Sequence, residues 1–267
     1  MLRARVMTAV MLVVGLLLVL FALPAQVAVA VAALLVAAAA WEWGGFVGLT
    51  ARLPRLAYVA LLGLLGALAL LIPELMAELQ AVMWLALAWW LVALVLVLRF
   101  PCSFPPQVTA LCGAAVLLPL WLVLVELLRQ PAHGGLLVFL LMVIVWAADI
   151  GAYFAGRSFG RVKLAPSVSP GKTWEGVLGG LLGALIVAAV AGWLMALPLI
   201  GLLLLTPAVA MISVLGDLTV SMFKRNAGLK DSGRLLPGHG GILDRVDSLA
   251  AAAPLFLLGL GWLGVIS

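Results

Sequence analysis

Hydrophobic and polar positions along this chain fall into long blocks rather than alternating. Apolar stretches occupy 7–22, 25–41, 56–73, 80–98, 108–128, 135–153, 175–196, 198–217 and 248–266, with short polar segments between them. A spanning helix needs about 20 apolar residues, so the pattern predicts about nine transmembrane helices. The first two stretches meet at Leu23-Pro24, which also allows one tight helical hairpin there. Strand-like alternation is nearly absent, which favours helices over a barrel, because each helix satisfies its own backbone hydrogen bonds in lipid. The expected fold class is all-α, a polytopic integral membrane helical bundle.

Composition sharpens this. The 267 residues are 67% hydrophobic and 9% charged, whereas a soluble domain carries roughly 25% charged residues. Arg3 and Arg5 precede the first apolar stretch as they would in a signal peptide. No convincing cleavage site follows and further spans come directly after, so that stretch is expected to stay as a helix. Cys102 and Cys112 suit neither a disulfide framework nor a metal cluster and read as two structural thiols.

The net charge of +5 gains meaning once the charges are placed. With the N-terminus in the cytoplasm and nine alternating helices, the cytoplasmic side holds every Lys and Arg of the 15 except Arg129. The positive-inside rule concerns this asymmetry. Glu74, Glu78 and Glu126 lie near helix ends on the opposite side. Both polar loops, 154–174 and 218–247, then face the cytoplasm, where nucleotides are. The expected organisation is a structural, lipid-facing region over 1–134 and a catalytic membrane region over 135–267.

Residues 1–130 are chemically quiet. Trp41, Trp43, Trp84, Trp89 and Trp90 lie near helix ends, where interfacial anchoring is expected. Glu42, between two tryptophans, reads as a solvated helix end. Asp149 is different, because an ionisable residue inside a span marks a functional site by default. A structural carboxylate paired with an arginine of the next loop is an equal alternative.

The following loop contains SPGKTWEG at 169–176. Ser169-Pro170 reads as a helix N-cap with proline in the first turn, which puts Lys172 and Thr173 at the mouth of the seventh span, where free N–H groups attract phosphate. The segment lacks both the spacing and the preceding strand of a P-loop. Gly176, Gly179, Gly180 and Gly183 form overlapping G-x-x-x-G pairs, a close helix-packing face.

The longest charged and glycine-rich stretch is 221–247, SMFKRNAGLKDSGRLLPGHGGILDRVD. Just before it, Asp217 stands in the last apolar turn of its span, and Ser213, Asp217 and Ser221 share one helix face. Asp244 and Asp247 share a face at the start of the last helix. Hard oxygen ligands of this kind suit Mg²⁺, which takes one or two carboxylates, water and substrate phosphates. Alternatively, Asp244 and Asp247 only cap that helix, which leaves Asp217 without an explanation. Lys224, Arg225, Lys230, Arg234 and Arg245 supply cations for phosphate, and His239 among glycines fits a phosphate contact or a loop anchor better than a metal ligand.

S-x-F-K-R at 221–225, K-D-S-G at 230–233 and L-P-G-H-G-G-I-L-D-R-V-D at 236–247 resemble the signature of the phosphatidate cytidylyltransferases. SPGKTWEG is similar to a second element of that family, departing at Gly171, where lysine is common. The detailed likeness runs from about 141 to 248, with hydropathy alone before that. It implies that CTP and phosphatidate give CDP-diacylglycerol and pyrophosphate with Mg²⁺, and leaves room for a second cation. It also implies membrane lipids and a homodimer as partners, with no nucleic acid. Asp217, Asp244 and Asp247 would be the metal ligands, with Lys224 and Arg225 completing the catalytic set. Ser169, Lys172, Thr173, Ser221, Lys230, His239, Arg245 and Asp149 would bind substrate. The expected location is a bacterial inner membrane with the active site facing the cytoplasm.

Two rival readings use the same residues. A CTP-dependent lipid kinase needs the same cations plus a base for an alcohol. A lipid transporter or scramblase should place its charges near the bilayer midplane, whereas these gather at one end, and no sequence repeat is evident.

Overall fold

The computed structural model describes the chain except Met1, Ala132, Arg234, Leu236 to His239 and Ser267, and describes side chains from residue 10 onward. His239 and Arg234 therefore lie outside the described residues. The helices are α1 (Leu2–Leu17), continued by a π-helical turn (Leu18–Ala22), α2 (Ala25–Phe46), α3 (Arg52–Leu71), α4 (Pro73–Ala77), α5 (Leu79–Leu98), α6 (Pro106–Arg129), α7 (Gly134–Phe159), α8 (Trp174–Leu194), α9 (Leu199–Asn226) and α10 (Leu243–Trp262). A small antiparallel hairpin, β1 (Lys163–Ala165) and β2 (Ser169–Thr173), interrupts them, so the fold is mostly helical rather than all-α.

Seven helices among the described residues are long and apolar enough to cross a membrane: α2, α3, α5, α6, α7, α8 and α9. The chain is a polytopic membrane protein. The outermost predicted stretches, 7–22 and 248–266, are helical as well, in α1 with its π turn and in α10. The apolar part of the first counts only as a shorter helix, Val10–Ala22. The start of α10 carries Asp244, Arg245 and Asp247, which lowers its mean hydropathy.

The chain divides into two compact units that interleave in sequence. One comprises Met1–Glu78, Phe104–Phe139 and Phe223–Val246; the other comprises Leu79–Ser103, Leu140–Met222 and Asp247–Ser267.

In the first unit α2, α3 and α6 pack together. Trp43 is fully buried, donates its Nε1–H to the Thr109 carbonyl at 2.8 Å, and lies against Phe46 and Phe223 with ring centroids 5.5 and 5.2 Å apart. Tyr58 donates to the Ala110 carbonyl at 2.9 Å. Gly113 leaves the room that the Trp43 and Tyr58 side chains fill. Trp43 is thus a core residue and not an interfacial anchor. In the second unit the same correction applies to Trp90, which is 1% exposed, whereas Trp84 is exposed beside Trp262.

The second unit is built on close backbone contact. A Cβ on Gly180 would lie 2.6 Å from the Ala148 carbonyl oxygen, one on Gly183 2.7 Å from that of Ala147, and one on Gly176 2.9 Å from that of Ala152. The glycines of α8 therefore let it rest directly on α7, as small residues do between membrane helices. Gly216 similarly brings α9 against the Asp247 carbonyl and Ala251 of α10.

Candidate functional site

Where α7 and α8 meet, the hairpin and α9 close a cavity of about 500 Å³. Its polar lining comes from Asp149, Tyr153 and Arg157 of α7, Ser169, Lys172 and Thr173 of β2, and Asp217 of α9. The 169–176 motif shapes it locally. Ser169 to Thr173 is extended, so the expected N-cap at Ser169-Pro170 is replaced by one at Thr173. Thr173 has φ −135° and ψ 156°, and its hydroxyl accepts the Gly176 N–H at 3.1 Å, satisfying a free donor of the first turn. Glu175 accepts the Val162 N–H, and the Trp174 N–H donates to the Val162 carbonyl, so the hairpin is tied to the helix it leads into. Lys172 accordingly reaches the cavity from a strand.

Lys172 pairs with Asp217, Nζ to Oδ2 at 2.8 Å, with both side chains partly exposed. Ser221, one turn on, donates to Asp217 Oδ1 at 3.1 Å, so that pair does share a helix face. Ser213, one turn earlier on the same continuous helix, donates its buried hydroxyl to the Ala210 carbonyl. Asp149 faces Asp217 and Lys172 electrostatically across the cavity. Its neighbours are therefore a second carboxylate and a lysine of the hairpin. Arg157, about two turns further along α7, donates to the Tyr153 hydroxyl at 2.9 Å. Tyr153, one turn after Asp149, carried no signal in the sequence, and Arg157, about two turns on, counted there only as a loop arginine.

In the first unit a second polar cluster forms around the signature loop. Asp244 Oδ1 accepts from Lys224 Nζ at 2.6 Å, and Oδ2 accepts from the Ser232 N–H at 3.0 Å and the Gly241 N–H at 3.4 Å. Asp244 stands outside the seven candidate spans. Burial pushes its pKa up, but the Lys224 ammonium and the Ser232 donor outweigh that and hold the carboxyl below its usual range. α9 stops where Gly228, at φ +69°, lets the Leu229 N–H return to the Lys224 carbonyl, a left-handed C-terminal turn.

Glu42 is the residue that sequence reading misjudged. It is 3% exposed rather than solvated. It accepts from Ser232 Oγ at 3.0 Å, the Ile242 N–H at 3.1 Å and the Leu243 N–H at 2.8 Å. The capping once open to Asp244 and Asp247 is thus shared with a residue of α2. Asp247 is buried, and its Oδ1 accepts the Ser248 N–H at 2.7 Å. Arg225, Lys230 and Arg245 are exposed. Among the described residues no group of three or more His, Cys, Asp or Glu side chains is placed to hold a metal ion.

In this helical membrane protein the cavity thus brings the carboxylates of Asp149 and Asp217 together with the cations of Lys172 and Arg157. Residues 3–262 match the model of the cytidylyltransferase family, and the chain belongs to that family. It is 46% identical to the phosphatidate cytidylyltransferase of Pseudomonas aeruginosa over 84% of each chain. It is 41% identical to that of Haemophilus influenzae over 96% of this chain and 97% of the other. A shorter match, 44% identical over 51% of this chain and 52% of the relative, joins it to the phosphatidate cytidylyltransferase of Bacillus subtilis.

Proposed function

We propose that this chain is a phosphatidate cytidylyltransferase, converting CTP and phosphatidate to CDP-diacylglycerol and pyrophosphate. Family membership and extensive identity to two such enzymes support the activity. The observation that carries the site is the Lys172–Asp217 pair in a cavity shared with Asp149, Ser169 and Arg157. A phosphatidate oxygen attacks the α-phosphorus of CTP in line. The new P–O bond forms as the bond to the β-phosphate breaks, and the electron pair leaves with pyrophosphate. The attacking phosphate is already ionised at neutral pH, so no general base is needed. Positioning and charge neutralisation account for most of the rate.

Lys172 and Arg157 stabilise phosphate charge that develops in the cavity. Ser169 and Ser221 donate hydrogen bonds. Lys224, Arg225, Lys230 and Arg245 keep the phosphate-binding role that the family resemblance implies. Two carboxylates in one cavity fit Mg²⁺, which commonly takes one or two from the protein and the rest from water and phosphate. Asp149 and Asp217 would hold it, and Asp244 and Asp247 are retained as candidates from the signature. When bound, the metal neutralises charge on the phosphates.

In this reading the chemistry belongs to 135–267, with 1–134 as scaffold. The N-terminus and both polar loops are cytoplasmic, nine helices cross a bacterial inner membrane, and two copies associate. A product assay on purified protein in mixed micelles tests the activity, with pyrophosphate and CDP-diacylglycerol as the expected products. CDP formed from a lipid alcohol would indicate a kinase instead.

A further inference from the structure

Glu42 ties the supposedly quiet N-terminal region to the signature loop. Two carboxylates distant in sequence grip the same two pieces of the signature loop. Asp244 takes the backbone N–H groups of Ser232 and Gly241, while Glu42 takes the Ser232 hydroxyl and the N–H groups of Ile242 and Leu243. Ser232 is thus held from both sides, by its backbone and by its side chain.

The loop is shaped to admit Glu42. A Cβ on Gly233 would collide with the Glu42 carboxylate, and one on Gly241 with Ser232 Oγ and the Glu42 carboxylate. Leu243 opens α10 and Ile242 immediately precedes it, so Glu42 also places a negative charge where the first N–H groups and the positive end of that helix lie. Asp244 is the next residue, and it carries Lys224 at 2.6 Å.

We propose that Glu42 is a positioning residue for the reaction, fixing the signature loop and the first turn of α10 so that Asp244 holds Lys224 in its working orientation. The proposal rests on the cytidylyltransferase reading for the role of Lys224, but the clamp itself is a matter of hydrogen bonding. Glu42 touches no reacting atom. Its effect is transmitted through Ser232, Leu243 and Asp244, all in the same compact unit.

Glu42→Gln keeps the size of the side chain and one accepting oxygen, but turns an NH₂ group towards donors. Ser232→Ala removes one clamp bond and leaves α2 unchanged. Both are compared with wild type by steady-state kinetics per folded molecule and by amide hydrogen exchange in detergent. Hydrogen bonds to a buried charge are strong, so Glu42→Gln is expected to lower kcat roughly tenfold or more. KM for CTP should move much less, and Ser232→Ala should give a smaller loss in the same direction. Exchange should quicken at Ser232, Ile242 and Leu243 in Glu42→Gln while the α2 amides stay protected. Glu42→Asp, which keeps the charge, should recover part of kcat.

Wild-type kcat in Glu42→Gln would overturn the proposal. So would exchange rising throughout α2 and α6 with a silent Ser232→Ala, since that pattern means general destabilisation. Wild-type protein that forms no CDP-diacylglycerol would overturn the enzymatic reading instead, and the exchange pattern would still decide the clamp.

Discussion

Lys172 Nζ lies 2.8 Å from Asp217 Oδ2, joining a strand of the hairpin to α9 inside a cavity that Asp149 also lines. The lysine lessens the repulsion between the two carboxylates when no other cation is present, and it faces the space where phosphates are proposed to bind. Asp217→Asn removes the charge that answers Lys172 and half of the carboxylate pair. Turnover should fall by at least about a hundredfold, in keeping with loss of a preorganised electrostatic group, with normal membrane insertion and thermal stability. Turnover near wild type in the product assay would remove Asp217 from the site.

The contact of α8 with α7 leaves no room for a side chain at Gly180. In Gly180→Ala the new methyl group meets the Ala148 carbonyl at 2.6 Å, so the helices must separate. Overpacking of this kind costs about 1–3 kcal/mol, and because the cavity lies along the same contact, activity should fall together with the melting temperature. Gly63→Ala in α3, where nothing lies within 4 Å of the added group, should lower neither. Thermal melts and product assays of the two variants in the same detergent make the comparison.

Thr173 caps α8 through its hydroxyl. Thr173→Ala should lower stability by about 1 kcal/mol, whereas Thr173→Ser should keep most of it. Equal melting temperatures for the alanine and serine variants would show that the hydroxyl is not what holds the helix start.

Asp244 gives the signature loop a definite acid response. Its folded-state pKa is held below the ordinary value, so its stabilising contribution is present in full above the unfolded carboxylate value, near about 3.9. That contribution is lost as pH falls through the depressed folded value. Protection of the Ser232 and Gly241 amides should therefore be flat from pH 7 to about 5 and fail only in stronger acid. Loss of protection already between pH 7 and 6 would mean that Asp244 is not the group holding them.

Much of this protein was legible along the chain. Runs of apolar residues placed the long helices because lipid demands continuous, internally hydrogen-bonded segments. The four-residue spacing of Asp217 and Ser221 gave a contact that the helix realises, since neighbours on one helix face follow from its pitch. The glycines of 176–183 read correctly as a packing face. In each case the information is local or periodic.

The rest was decided by packing. The start of α8 moved from Ser169-Pro170 to Thr173 because pairing with β1 holds the intervening residues extended. Trp43 went to the core because the Thr109 carbonyl and Phe223, far away in sequence, meet it there. Asp149 came to face Asp217 and Lys172 in a cavity lined from α7, β2 and α9. Glu42, which looks like a solvated helix end between two tryptophans, became buried because donors 190 to 201 residues further on arrive at its oxygens. The sequence by itself determined the membrane helices and the chemical groups available for phosphate. Only the tertiary structure decided which of those groups meet, because that depends on how closely distant backbones approach.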